Sequence, residues 1–381
     1  MIISSYDNNI HEFGYYQVGA QKFTNKIQAI LAADASHQFP YFIMNDESYS
    51  CFDWTVEPSE SLESLYAKRA WEIRNKYDYL VLHFSGGSDS ANVLETFINN
   101  NIPLEEILIR MPMARIDLNI NNTSATNSAA ENVLTALPLA KLVKEKYYPH
   151  LKITLKDSSE YLKNYFHNLD LSGSSDVLSA FSSISPGSFQ NADLDELHND
   201  LKDVAESGKK IGHVYGTDKP PIYWDGEQYA IKFLDKTAGL FFSNSRKSSV
   251  DLPQYKEAFY WAASTAPLII KQAHTIKRAI QAKGLGPEIL TKLTGRPRHN
   301  FLADIIYNRT LPLPFSPEKT RTIGITNQDF WFFEDKNSDH VKNWQKMVTS
   351  LDFEIDAKWK HDGSMFNDLV GVYSKSYGIG A

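Results

Sequence analysis

Residues 79–100 read YLVLHFSGGSDSANVLETFINN. The run Tyr79–Phe84 is short and continuously apolar apart from His83, the pattern of a strand buried on both faces of a parallel sheet. From Ser90 onward the apolar residues space as a helix of about three turns. Between them stand Ser85, Gly86, Gly87, Ser88, Asp89 and Ser90. In an open parallel sheet, ligands bind at the C-terminal ends of the strands. Gly86 and Gly87 let the backbone approach a ligand and take positive φ. Exposed N–H groups and a helix N-terminus offer partial positive charge to an anion. Ser85, Ser88 and Ser90 add hydroxyl donors. Asp89 is out of place in an anion site by itself. It makes sense as a ligand or water anchor for Mg²⁺ accompanying phosphates. The alternative is an ordinary strand-to-helix turn with a serine or aspartate capping the helix.

Outward from this stretch, strands alternate with helices. EEILIRMPM is a second strand ending near Pro112, and ENVLTALPLAKLVKEKYYP a helix kinked at Pro138. LKITLKD is a third strand and IGHVYG a fourth. This order predicts an α/β fold with a doubly wound, mainly parallel sheet over residues 61–250. A helix opens near Ser61. Ser- and Gly-rich sequence makes about 157–210 a mobile insertion. PIYWDGEQYAIKFLD predicts a hairpin turning at Asp225-Gly226. Residues 1–60 read as a small α+β extension. Residues 251–381 read as a mostly helical C-terminal domain, with QYKEAFYWAASTAPLIIKQAHTIKRAIQAKG a helix broken near Pro267.

Composition sets outer limits. Hydrophobic residues make up 42% and charged residues 22%, the balance of a soluble globular chain. No apolar run is long enough to span a bilayer, so no membrane partner is expected. The start has no secretory pattern. The single cysteine, Cys51, excludes an intramolecular disulfide framework and any site made of several thiolates, and it suits a cytoplasmic location. Flanked by aromatics, Cys51 reads as a buried small hydrophobe. Net charge is −7, yet Lys271–Arg321 carries ten Lys/Arg against three Asp/Glu. That segment predicts an anionic partner such as RNA, the alternative being a face of ordinary solvated lysines.

The loop lacks the lysine of a Walker A motif and is not GxGxxG. It resembles the SGGxDS signature of the PP-loop ATP pyrophosphatases, which include asparagine, GMP and NAD synthetases and tRNA lysidine synthetase. Ser85, Gly86, Gly87, Asp89 and Ser90 match, with Ser88 at the variable place, and the resemblance covers about residues 78–220. It implies an adenine nucleotide alpha hydrolase-like, Rossmann-like domain that binds ATP and Mg²⁺. The loop would hold the β- and γ-phosphates. A substrate carbonyl or carboxylate would attack the α-phosphate, and ammonia or an amine would then displace AMP, making the protein a C–N bond-forming ligase. Adenine would lie by Ile109, Arg110 and Met111, held through backbone groups.

HVYGTDKPP follows the fourth strand, so Gly216, Thr217, Asp218 and Lys219 should lie beside the nucleotide. Asp218 is a candidate metal ligand with Asp89, and Lys219 a candidate phosphate contact. The alternative is a turn ended by Pro220-Pro221. Lys232 and Lys236 are weaker phosphate candidates. Arg296, Arg298 and His299 in TGRPRHN could close over ATP or grip an anionic substrate. His83, in the strand, reads as a packed core histidine.

Departures from the family narrow the choice. One cysteine is too few for the sulfur-transfer and zinc-containing members. Ile2 and a short extension do not match the N-terminal glutaminase domain of asparagine synthetases, and no GDGxDE segment is present. Ligases using free ammonia or an amine remain, with a small molecule as the unidentified acceptor. The same chemistry on a base in tRNA or DNA, and a non-catalytic nucleotide-binding protein, are the alternatives. A homo-oligomer and a separate ammonia-supplying protein are both compatible with this reading.

Overall fold

A computed structural model of the chain describes residues 14–23, 29, 32–33, 35–124, 127, 129–160, 200–217, 219–220, 222–234, 254–293, 295–318 and 372–381. Strands β1 (Tyr15–Val18), β2 (Gln21–Phe23) and β3 (Tyr41–Ile43) form an antiparallel sheet in the order β2-β1-β3. The short helix α1 (Asp46–Tyr49) follows. Helix α2 (Leu62–Lys76) begins after Ser61, whose hydroxyl accepts from the Ser64 N–H at 3.1 Å, with Glu63 in the first turn.

The chain then alternates through β4 (Tyr79–His83), α3 (Ser88–Asn99), β5 (Glu106–Met111), α4 (Leu137–Lys146), β6 (Lys152–Asp157), α5 (Lys202–Glu206) and β7 (Ile211–Tyr215). A hairpin of β8 (Ile222–Trp224) and β9 (Tyr229–Ile231) precedes β10 (Gln254–Ala258). The central sheet has five strands in the order β10-β7-β4-β5-β6, and every neighbouring pair is parallel. The chain moves outward from β4 to β6, then returns to β7 and β10 on the other side of β4. This is an α/β fold consistent with a doubly wound sheet, and its direction reverses between β4 and β7.

Alternation sorts the two faces. Leu80, Leu82, Phe84, Ile107, Ile109, Met111 and Val214 join the main core with residues of α2, α3 and α4. On the other face Val81, Leu108 and Ile211 form a smaller cluster with Leu201 and Ala205 at α5.

The region after residue 251 departs from the helical expectation at its start. QYKEA is the edge strand β10, and helix α6 (Ala266–Ala282) begins only after Thr265, with Pro267 in its first turn. Pro267 therefore starts a helix and does not break one, because a first-turn residue needs no N–H partner. What draws 254–258 into the sheet is Glu257. Its buried carboxylate meets Arg69 of α2 at 2.9 Å and Tyr77 at 2.5 Å, while Arg69 also donates to the carbonyls of Ala258 and Phe259. Two further helices, α7 (Ile289–Lys292) and α8 (Gly295–Ile306), are followed by strand β11 (Tyr377–Gly380), which pairs with β9.

Two smaller expectations are also corrected. The helix through Pro138 is not simply kinked: a π-helical turn at Asn132–Ala136 leads into α4, closed by the Leu137 N–H on the Asn132 carbonyl. The wider turn accommodates the proline, which lies in the first turn of α4. Cys51 is exposed, held in the turn after α1 with its thiol on the Glu47 carbonyl at 3.1 Å. The hairpin turn at Asp225-Gly226 is as expected, with φ of +110° at Gly226 and the Asp225 carboxylate accepting from the Glu227 and Gln228 N–H groups. Most of the expected insertion, residues 161–199, lies outside the described residues. Among the described residues no helix is long and apolar enough to cross a membrane.

Candidate functional site

The segments after β4 and β7 emerge side by side where the sheet reverses direction. The Phe84 N–H bonds the Leu108 carbonyl at 2.9 Å, which anchors the root of the 85–87 loop on β5. Gly86 then takes φ of +80° and passes so close to the π-helical turn that a Cβ would stand 2.8 Å from the Ala136 nitrogen. No other residue fits there without movement. Gly216, just past β7, abuts the first turn of α3: a Cβ on it would lie 2.8 Å from Cα of Ser90. Two glycines thus bring the loop, the helix start and the 216–219 segment together.

Helix α3 opens with Gly87 as its N-cap, a residue without a side-chain oxygen to cap the first turn. The Ser85 hydroxyl lies 3.2 Å from that of Ser90 and accepts from the Gly87 N–H at 3.3 Å. Asp89 is buried and meets two partners from far along the chain. Lys219 Nζ donates to its Oδ1 at 3.0 Å, and the Tyr307 hydroxyl donates to the same oxygen at 2.5 Å. The Tyr260 hydroxyl donates to the Asp89 carbonyl at 3.1 Å and accepts from Asn92. His299 Nε2 bonds the Ser88 hydroxyl at 2.5 Å, and its Nδ1 lies 3.5 Å from Lys219 Nζ.

Burial and then the Asp89 carboxylate hold the Tyr307 phenol well above its ordinary range. It therefore remains a neutral donor to Asp89. Burial likewise raises Tyr260, assisted by Tyr66 and Asp89. One helical turn beyond the loop, Glu95 receives the N–H groups of Thr310 and Leu311, and burial pushes its carboxyl upward against those bonds. Residues 299–311 are thereby fastened over the loop and the first turns of α3.

The structure brings together Ser85–Ser90, Gly216, Thr217 and Lys219. Ile109 and Met111 are buried on β5, whose last residues run past the end of β4 and so border the loop. Lys232 lies over the Tyr223 ring in the hairpin, 4.6 Å from its centroid. Arg298 donates to the Ile222 carbonyl at 2.7 Å. Asp218, Lys236 and the Arg296 side chain lie outside the described residues. Four cations of the basic stretch are paired, two of them with acids of the stretch itself. Lys271 and Arg278 share Glu57, Lys292 pairs with Glu288, and Arg309 with Asp304.

Tyr260 and Tyr307 were not among the expected site residues, and the 299 region was expected to close over ATP or grip an anionic substrate. The spacing of His299, Ala303 and Tyr307 at intervals of four puts them on one helical face and was the available signal. Chemically, the site offers glycine-shaped backbone, serine hydroxyls, a helix N-terminus and two cationic or cation-forming side chains, Lys219 and His299. That set suits phosphate oxygens. Among the described residues the Asp89 carboxylate receives an ammonium and a phenol, and Asp218, the other expected metal ligand, lies outside them. Among the described residues no group of three or more His, Cys, Asp or Glu could hold a metal ion. No family model matches the chain, and no curated protein matches it.

Proposed function

We propose that the protein is an ATP-dependent adenylating ligase of PP-loop type, acting on a small-molecule acceptor. The observation that carries this reading is the SGGSDS loop at the reversal point of a parallel sheet, with Gly86 at positive φ and α3 opening directly behind it. The resemblance of the loop to the pyrophosphatase signature supplies the reaction class. ATP supplies an α-phosphorus open to attack and pyrophosphate as leaving group.

In this reading the loop amides and Ser85, Ser88 and Ser90 hold the β- and γ-phosphates. An acceptor carboxylate oxygen attacks the α-phosphorus, the bond to pyrophosphate breaks, and an acyl adenylate forms. An amine nitrogen then attacks the acyl carbon, loses a proton, and expels AMP. The chain's own contribution is placement and charge. Lys219 and His299 stand where negative charge accumulates as pyrophosphate departs. Asp89 is a positioning residue: it fixes Lys219 and, through Tyr307, the segment that covers the loop. No step is assigned to a metal.

The test is product analysis with α-labelled ATP, Mg²⁺ and fractions of a cell extract, small molecules and RNA apart. Protein-dependent AMP and pyrophosphate, abolished in Lys219→Met, is the expected result. ADP and phosphate would overturn the pyrophosphatase mechanism, and turnover only with the RNA fraction would overturn the choice of acceptor.

A further inference from the structure

The groups that the loop would offer a phosphate are engaged by the protein itself. The Ser85 hydroxyl accepts from the Gly87 N–H at 3.3 Å, and the Ser90 hydroxyl donates to the Gly87 carbonyl at 3.0 Å. Lys219 Nζ is held by Asp89 and faces the Tyr307 ring, 5.4 Å from its centroid. Ser88 is buried, and its hydroxyl bonds His299 Nε2 at 2.5 Å. His299 Nδ1 lies 3.5 Å from Lys219 Nζ. One imidazole, brought from 211 residues further along the chain, therefore spans the Ser88 hydroxyl and the Lys219 ammonium. A phosphate group bridging that hydroxyl and that ammonium would need the same place. Atoms 2.5 Å apart leave no room for an oxygen between them.

His299 is carried by a fixed post. Leu302, Ala303 and Ile306 of α8 lie in the main core, and the Ile306 carbonyl accepts from the Tyr66 hydroxyl at 3.2 Å. Tyr307 ties the end of that post to Asp89. Beyond it the chain is strapped across α3 and the π-helical turn. Glu95 Oε1 accepts from the Thr310 N–H at 2.8 Å. The Thr135 hydroxyl accepts from the Phe315 N–H at 3.0 Å and donates to the Phe315 carbonyl at 2.7 Å. Thr135 precedes Ala136, whose backbone abuts Gly86. The Glu95 contact carries a cost. Its other carboxylate oxygen, Oε2, is buried with no hydrogen-bond partner among the described residues. Opening the strap to water removes that cost.

We propose that His299 is an autoinhibitory plug in the phosphate site, released when a polyphosphate takes Ser88 and Lys219 from it. This regulation rests on the phosphate reading of the loop. Charged oxygens make stronger hydrogen bonds to a hydroxyl and an ammonium than a ring nitrogen does, so a triphosphate can displace the ring. ATP binds the fraction of molecules in which the ring has turned out, and its apparent affinity falls by that fraction. The displaced imidazole stays on α8 at the edge of the loop, where departing pyrophosphate meets it. When the products leave, the ring returns to Ser88 and closes the site.

Stopped-flow mixing of the full chain with a fluorescent, non-hydrolysable ATP analogue and Mg²⁺ tests the plug in wild type, His299→Ala and Glu95→Ala. The expected result is association about threefold or more faster in His299→Ala, with the dissociation constant lowered. Glu95→Ala, which loosens the strap and leaves the loop intact, should move the rate in the same direction. It carries the test alone if circular dichroism shows that His299→Ala does not fold. In wild type, inorganic triphosphate should shift the histidine-ring NMR signal that is missing from His299→Ala. Association that is unchanged or slower in the folded variants, or a His299 ring signal that triphosphate does not move while the analogue binds, would overturn the plug and leave the nucleotide reading standing. Binding by the variants alone would support both. Binding by none of the proteins would overturn both.

Discussion

Asp89 and Lys219 stand 130 residues apart in the chain and meet at 3.0 Å, with side chains only 10% and 7% exposed. Breaking one side of a buried pair strands the other charge, which costs about 3–5 kcal/mol. Asp89→Ala and Lys219→Met should each lower the unfolding free energy on that scale. The double variant should cost clearly less than their sum. Urea denaturation of the four proteins measures this. Additive costs would mean the pair is not coupled in solution.

Gly86 has a different vulnerability. An alanine there must take a left-handed φ, costing about 1–2 kcal/mol, and must also push into the Ala136 backbone. Gly86→Ala should therefore lower thermal stability and abolish binding of a fluorescent ATP analogue. Normal analogue binding by a folded Gly86→Ala protein would show that the loop does not hold phosphates in this conformation.

Tyr307→Phe removes one hydroxyl and little volume. The lost bond to a carboxylate should cost about 1.5–3 kcal/mol. Hydrogen exchange should rise in 299–311 more than in β4 or β5, because Tyr307, His299 and Glu95 together fasten that segment. Uniform exchange across the protein would argue that the cover is held by its apolar contacts alone.

Lys256 gives a pH signature. Its folded pKa, about 7, lies below the 10.5 of the unfolded chain. Burying the charged form opposes folding fully below pH 7, and the penalty fades as pH rises toward 10.5. Lys256→Met should thus stabilise the protein by about 1–2 kcal/mol at neutral pH, and the gain should shrink by pH 10. Thermal melts at pH 6, 8 and 10 check the trend. His83 adds a second trend of the same sign in a lower window. Its depressed pKa means the unfolded chain takes up the proton first, so stability falls as pH drops below about 6.5.

Much of the central architecture is legible in the chain because its signals are local. The apolar run before Ser85, the glycines of the loop, Ser61 ahead of α2 and Asp225-Gly226 between two short strands each determine their own geometry. Strand β10 was not legible. QYKEA has no strong alternation, and what holds it extended is Arg69, 188 residues earlier than Glu257. Pro267 misled for a related reason: the same residue ends one helix pattern or begins another, depending on where the preceding backbone goes. The partners of Asp89 are likewise nonlocal. Nothing near Tyr307 announces a carboxylate, whereas its spacing from His299 does announce a shared helical face.

The distances along the chain between Asp89 and its partners also set an order of assembly. Strand β4 finds one sheet neighbour, β5, within residues 62–160, whereas its other neighbour, β7, and the side-chain partners of α3 at Lys219, Tyr260 and Tyr307 come later. Asp89 acquires its cation only with Lys219, and its phenol only with Tyr307. During synthesis about a third of the chain must follow the loop before Lys219 is made, and more than half before Tyr307 is. The nascent chain therefore carries the SGGSDS loop through much of its elongation without the side chains that fix Asp89; under the adenylation reading, activity would await completion of the fold and not the appearance of the motif.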